Sequence, residues 1–205
     1  MLKVGLTGGY ATGKTFVAHE FERLGCHLIF ADQIGHATLQ PEGAAYGPTI
    51  KLFGREILLP DGTIDRKKLA SIVFDAPERL AELTAIVHPA VFQIEEEMLA
   101  NFAIGDPHGI TILEAAILIE TGRYADCDKL ILTACDQEIQ IARGMKRDGI
   151  TREAVLARLD RQLSLEEKKR YADFVIDTGG CKEETMRQVE SIFQALRPLA
   201  EAATH

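Results

Sequence analysis

Cysteine is sparse and scattered in this chain. Cys26, Cys127, Cys135 and Cys181 form no C-x-x-C pair and have no histidine or cysteine cluster beside them. That argues against a disulfide framework and against a structural zinc site. Free thiols fit a reducing, cytoplasmic compartment. Long apolar runs are missing too, so no segment approaches the length of a membrane span. The opening Met1–Thr7 is too short and too soon broken by glycine to read as a signal peptide, and reads as a buried strand. Basic excess is absent: the formal net charge is −8, which argues against a general nucleic-acid binder but leaves room for a local basic site that takes an anionic small molecule. The chain has no internal repeat, low-complexity tract or long linker. There is also no guanine-selecting N-K-x-D run: after Lys129–Thr133 the chain continues Ala134-Cys135-Asp136-Gln137.

What is present is ordinary globular material, 46% hydrophobic and 26% charged over 205 residues, enough for one core with small inserts. Short apolar runs at Leu2–Thr7, Cys26–Ala31, Ile110–Leu113, Lys129–Thr133 and Phe174–Ile176 read as strands buried on both faces. Helical segments separate them, which makes the class α/β with right-handed crossovers. The first helix spans Gly13–Leu24, with Val17, Phe21 and Leu24 on one face and Gly25 as its stop. Nearly eighty residues lie between the second and third strands, far more than one crossover needs. They carry helical patterns at Ala44–Phe53, Arg66–Phe74, Pro77–Val87 and Pro89–Phe102, a helical insert over one side of the sheet. A last helix is expected over Glu183–Ala203.

The run Gly8-Gly9-Tyr10-Ala11-Thr12-Gly13-Lys14-Thr15 fits the P-loop pattern G-x-x-x-x-G-K-[ST] and stands between a strand and a helix, as that loop must. Glycines let the backbone curl its N–H groups toward phosphate, and the helix N-terminus adds its positive end. Lys14 can reach the β- and γ-phosphates of ATP, and the Thr15 hydroxyl can ligate Mg²⁺. Gly8, Ala11, Thr12, Gly13 and Phe16 complete the expected nucleotide cradle.

Two carboxylates stand at strand ends, where open α/β sheets bind ligands. Asp32 follows the second strand directly and is either the base that takes a proton from an attacking hydroxyl or the N-cap of the next helix. Glu114 ends the third strand and either serves Mg²⁺ or substrate or is a polar strand terminus. Glu120 reads as a solvated loop carboxylate. The segment Arg143–Arg170 holds nine basic against five acidic residues in a chain of opposite sign. It reads as a basic lid whose Arg143, Arg147, Arg152 and Arg158 spread positive charge over a moving phosphoryl group, or as a solvated helix pair laced with ion pairs.

Taken together, these residues resemble the dephospho-CoA kinase family over almost the whole chain. The opening Leu6-Thr7-Gly8-Gly9 through Thr15 is similar to the family's L-T-G-G-x-x-x-[SG]-G-K-[ST], and Phe30-Ala31-Asp32 to its D-A-D step with only the second acid kept. Phe53-Gly54 and Leu59-Pro60-Asp61-Gly62-Thr63-Ile64-Asp65-Arg66 resemble F-G and D-G-x-[LI]-[DN]-R, and His88-Pro89 the His-Pro step. Leu118-Ile119-Glu120-Thr121 resembles L-[FL]-E-T. Arg147-Asp148, Arg158 and Gln162 match the lid pattern, and Ala172–Asp177 the A-D-x-V-I-[DN] run. Departures are Tyr10, Ala11 and Thr12 in the loop, Phe16 after Thr15, Glu114 for Asp, Ala116 for Pro and Thr178 for Asn.

The resemblance implies a three-layer P-loop fold with a five-stranded parallel sheet in the order 2-3-1-4-5. It implies a core of about 1–40, 108–140 and 172–205, an acceptor-binding insert over 41–107 and a lid over 141–171. It implies transfer of the ATP γ-phosphate to the ribose 3′-hydroxyl of dephospho-CoA, with Mg²⁺ held by Thr15. Asp32, Lys14 and Arg143 become the catalytic candidates, and Arg147 joins the nucleotide site. Asp32, His88, Glu114, Leu118 and Arg158 become acceptor contacts. A monomer or weak homo-oligomer, with no nucleic-acid or membrane partner, goes with that reading. Another small-molecule or nucleoside monophosphate kinase on the same fold, or a P-loop nucleotide switch, stays open on the residues alone.

Overall fold

The computed structural model describes residues 1–74 and 76–202. Asp75 and 203–205, including Ala203 at the end of the expected last helix, lie outside the described residues. The chain divides into two compact units, Met1–Phe30 with Asn101 onward, and Ala31–Ala100.

The first unit is built on a parallel sheet of β1 (Leu2–Gly8), β2 (His27–Phe30), β3 (Ile110–Glu114), β4 (Lys129–Ala134) and β5 (Phe174–Asp177), in the order β2-β3-β1-β4-β5. That is the expected order. Register brings Phe30, Glu114 and Leu6 level with one another on the three strands β2, β3 and β1. The core is formed by Val4, Leu6, Ile112, Ile131 and Ile176 from the sheet. Against them pack Val17 and Phe21 of α1 (Lys14–Arg23) and Val189, Ile192 and Leu196 of the last helix, Lys182–Ala202. Both helices show their apolar residues at three- and four-residue spacing, the stripe that a sheet face buries.

The unit Ala31–Ala100 opens with α2 (Ala31–Thr38), followed by α3 (Tyr46–Phe53) and α4 (Arg66–Phe74). Phe53, Ile57, Ile64, Leu69 and Val73 form its own small core. The stretch that resembles D-G-x-[LI]-[DN]-R is a structural element here. Leu58 and Ile64 pair across a turn in which Asp61 accepts from the Thr63 backbone (2.9 Å) and hydroxyl (2.7 Å). Asp65 then accepts from the N–H groups of Lys67 and Lys68 at 3.0 and 3.1 Å and so starts α4.

One expectation fails in this stretch. Pro77–Val87 and Pro89–Phe102 are not two helices: α5 runs unbroken over Pro77–Gly105 with Pro89 inside it. An internal proline forfeits one hydrogen bond and crowds the carbonyl four residues back, a local cost of about 3 kcal/mol. A helix of 29 residues offsets that cost through its many remaining turns. Strand ends shift as well. β2 stops at Phe30, and Ala31 already begins α2.

Beyond β4 come α6 (Gln137–Asp148), α7 (Arg152–Leu159), α8 (Leu165–Lys169) and α9 (Lys182–Ala202). Thr151 caps α7 by accepting from Ala154, and Ser164 with Glu167 forms a full capping box on α8. Among the described residues no helix is long and apolar enough to cross a membrane.

Candidate active site

The phosphate loop leaves β1 at Gly8 and enters α1 through Gly13, whose φ of 81° lies in the left-handed region that glycine adopts without penalty. Ala11 also takes a positive φ, 58°. The first amides of α1 have no acceptor within the helix, and they face the end of the loop. Lys14 Nζ donates to the Gly9 carbonyl at 3.3 Å, so its ammonium lies back across the loop. Thr15 is exposed in the first turn, and its hydroxyl bonds to nothing among the described residues. Phe16 is half-buried against the sheet core, with Lys182 Nζ over its ring at 5.4 Å. Its ring packs against the fold rather than opening toward a ligand.

Beneath the loop runs a buried chain of hydroxyls. Thr12 Oγ1 donates to the Gly9 carbonyl at 2.8 Å and meets Thr133 Oγ1 at 2.7 Å. Thr178 Oγ1 lies 2.7 Å from the Thr12 carbonyl and 3.2 Å from that of Ala134. The side chain of Thr12 therefore points into the fold, and only its backbone remains for a nucleotide. Arg143 was expected in the lid beside the other arginines, and the structure corrects this. Its guanidinium donates to the Thr178 carbonyl at 2.6 Å and hydroxyl at 3.3 Å, and to Cys135 Sγ at 3.7 Å. It braces the loop from behind.

Above the loop, Tyr10 gathers the basic segment. Its backbone N–H donates to Gln162 Oε1 at 2.7 Å, and its carbonyl accepts from Gln140 Nε2 at 2.7 Å. Gln140 is buried, 3% exposed. The Tyr10 hydroxyl bonds Asp148, which also accepts from Arg147 Nε at 2.7 Å and Arg158 Nη1 at 2.6 Å. The two guanidinium carbons stand 4.9 and 5.2 Å from the Tyr10 ring centroid, the arrangement of a cation–π pair. The Arg147 hydrogen bond, then that of Tyr10, holds the Asp148 carboxyl well below the usual carboxylate range. Because the folded value is depressed, this contribution is complete above the ordinary aspartate value of about 3.9 and fades only as pH falls toward the depressed folded value. Arg152 is diverted elsewhere: it makes a two-armed pair with Glu138 at 2.7 and 2.6 Å.

A cleft of about 540 Å³ opens at Gly9 on the other side of the loop, between α6 and the stretch from Leu159 to Glu167. Asp136, Asp160, Glu166 and Glu167 line it, so its charge does not suit phosphate.

Glu120 was read as a solvated loop carboxylate; the residue is exposed, but its carboxylate is engaged. It accepts from Lys168 Nζ at 2.8 Å and from the Leu163 N–H at 3.1 Å. Lys168 is fully buried, and its ammonium also donates to the Ala116 carbonyl at 3.2 Å. This pair ties Lys168 and Leu163 to the loop after β3. Removing one partner strands a buried charge, so Glu120→Gln is expected to cost about 3 kcal/mol. An unchanged urea midpoint would contradict that.

Glu114 is buried, 6% exposed, at the end of β3. Leu118 is 1% exposed, and its Cδ1 lies 3.1 Å from where a Cβ on Gly5 would stand. It is core packing on the sheet rather than an acceptor contact, because no face of it is open. In the other unit, Asp32 lies in the first turn of α2, exposed and without a hydrogen-bond partner among the described residues. It is not an N-cap. His36, one turn on, accepts from the Arg66 guanidinium, and burial together with that charge lowers its pKa. His88 is half-buried within α5, its ring 5.4 Å from that of Phe92. The helix runs through it.

The family model described as dephospho-CoA kinase matches residues 2–183. The chain belongs to the dephospho-CoA kinase family. It is 39% identical over 196 residues to the dephospho-CoA kinase of Aquifex aeolicus, covering 96% of this chain and 98% of that one. It is 41% identical over 194 residues to the enzyme of that name from Geobacter metallireducens, covering 95% and 96%. Among solved structures, a dephospho-CoA kinase from Campylobacter jejuni superposes with a TM-score of 0.69 at 28% identity, over 96% of this chain and 97% of that one.

Several departures from the dephospho-CoA kinase pattern thus have a physical account. Thr178 holds the loop carbonyl of Thr12, Thr12 pairs with Thr133, and Tyr10 reaches Asp148 of α6. Gln140, Glu120 and Lys168 were missed as contributors. No local signal marks Lys168 within the run Lys168-Lys169-Arg170, because only its packing distinguishes it from its neighbours.

Proposed function

We propose that this chain uses ATP to phosphorylate the ribose 3′-hydroxyl of dephospho-CoA, releasing ADP and CoA. The near full-length identity to dephospho-CoA kinases carries this reading, and the P-loop between β1 and α1 supports it. The loop amides and Lys14 would bind the β- and γ-phosphates of ATP, so that negative charge meets a preorganised cradle. The exposed, unengaged Thr15 hydroxyl fits a Mg²⁺ ligand; the ion would supply charge neutralisation at the phosphates. Asp32 would take the proton of the 3′-hydroxyl as its oxygen attacks the γ-phosphorus and the bond to ADP breaks. Its exposure and lack of a hydrogen-bond partner among the described residues support that role.

Arg147 and Arg158 would bear on the transferring phosphoryl group from the lid. Arg143 would act at one remove, through Thr178. The unit Ala31–Ala100 is read as the acceptor-binding insert, with His88 in it, and 141–171 as the lid. Glu114 would lie near the acceptor or the Mg²⁺ at the end of β3. A cytoplasmic monomer or weak homo-oligomer without nucleic-acid partners completes the reading.

The experiment is a coupled assay of ADP release by the purified protein with ATP, Mg²⁺ and a panel of acceptors. Turnover on dephospho-CoA with product carrying a 3′-phosphate is expected. Turnover on AMP or shikimate, with none on dephospho-CoA, would sink the proposal.

A further inference from the structure

Tyr10 is the loop residue that least fits a phosphate cradle by size, yet it has the most partners outside the loop. Its ring lies directly against α6: a Cβ added to Gly144 would stand 2.5 Å from Tyr10 Cε1 and 3.2 Å from Val155 Cγ2. Only glycine at 144 lets the ring lie there. Both of its backbone polar groups are taken by lid-side glutamines, Gln162 and the buried Gln140. Its hydroxyl meets Asp148 and accepts from Arg158 Nη1 at 3.2 Å, and its ring carries Arg147 and Arg158 on its π-face. One side chain thus sets the position of two guanidinium groups that come from different helices, α6 and α7.

Donor accounting shows that this arrangement leaves the arginines usable. Arg147 gives Asp148 its Nε and Nη2, and Arg158 gives Asp148 and Tyr10 its Nη1. Among the described residues the Nε and Nη2 of Arg158 make no hydrogen bond, and beyond Asp148 Arg147 meets only Tyr10. A single carboxylate between two guanidinium groups leaves a net positive cluster beside the loop. Side chains of this length lose much rotamer freedom when ordered. A ring and a carboxylate that already hold them remove part of that cost from nucleotide binding and transfer.

We propose that Tyr10 is a positioning residue for phosphoryl transfer, which orders Arg147 and Arg158 over the phosphate loop through its ring and through Asp148. The proposal rests on the reading of this loop as the ATP site. It predicts a coupling that a packing role would not produce. Tyr10→Ala is expected to lower kcat/KM for ATP about tenfold when both arginines are present. In an Arg147→Ala, Arg158→Ala background the same substitution should change it less than twofold, because the groups it orders are gone.

Tyr10→Phe keeps the ring on Gly144 and loses only the hydroxyl bonds. It should fold as the wild type and lose about two- to threefold, again only when the arginines are present. An unchanged kcat/KM in Tyr10→Ala overturns the proposal, and so does an equal loss in both backgrounds for either variant. Lys14→Ala measured alongside separates the two levels of the argument. Severe loss there, with Tyr10 additive to the arginines, overturns the positioning role and leaves the ATP site standing. Unchanged turnover there refutes the site and takes this proposal with it.

Discussion

Lys14→Ala is expected to lower kcat by about 10²- to 10³-fold, the scale of removing one preorganised donor from a site where charge develops. The Lys14 ammonium donates to the Gly9 carbonyl at 3.3 Å, folded back over the loop it would serve. That contact holds the side chain near the cradle but is weak enough in geometry to yield to a phosphate oxygen. The backbone amides of the loop do not depend on Lys14, so a large part of ATP binding should survive. The loss should therefore fall more on kcat than on KM. Steady-state kinetics at saturating dephospho-CoA, with the fold checked by circular dichroism, read this directly. A loss below about threefold in kcat would contradict the assignment of the loop.

Asp32→Asn is expected to lower kcat by about 10²- to 10⁴-fold with ATP binding nearly unchanged. The choice of asparagine is deliberate. Aspartate and asparagine are equivalent as helix N-caps, so a structural loss would be small even if the residue capped α2. It does not: α2 begins at Ala31, and Asp32 lies exposed in its first turn with no hydrogen-bond partner among the described residues. Replacing an exposed carboxylate that makes no hydrogen bond among the described residues by its isostere should leave stability within about 0.5 kcal/mol. A fall in kcat at unchanged stability then reports on proton acceptance and charge. Turnover within a fewfold of the wild type would remove Asp32 from the mechanism.

Much of this protein is legible along the chain because its signals are local. Short apolar runs mark the five strands, since a sheet covered on both faces needs no alternation. The P-loop is a contiguous string whose glycines, lysine and threonine each answer one geometric need. Its flanking strand and helix appear where the pattern places them. The helical insert is visible as excess length between β2 and β3. Proline misled the reading of that insert. A residue that usually ends a helix was read as a boundary, whereas the turns on both sides of Pro89 outweigh its local cost.

The candidate site was legible only in part. Lys14, Thr15 and Asp32 sit at positions that the motif and the strand ends define. Leu118 could not be judged, because its burial depends on Gly5, more than a hundred residues away in sequence. Glu120 looks like any loop carboxylate until Lys168 folds against it. Arg143, Arg147, Arg152 and Arg158 share one basic segment, but their partners part them. They go respectively to Thr178, to Asp148 with Tyr10, to Glu138, and again to Asp148 with Tyr10. Charge counting finds the cluster and cannot divide it.

By itself, then, the sequence determined the class of fold, the glycine-rich turn between β1 and α1 and the family, because strand runs, helix spacing and a contiguous motif are properties of neighbouring residues. Only the tertiary structure decided which arginines face that loop, what braces it from behind and why a tyrosine stands in it. Those answers rest on contacts such as Tyr10 with Asp148 and Thr178 with Thr12, 138 and 166 residues apart. No local propensity encodes such pairs. They form when packing the sheet against α1 and α9 brings distant polar groups together and leaves each needing a partner.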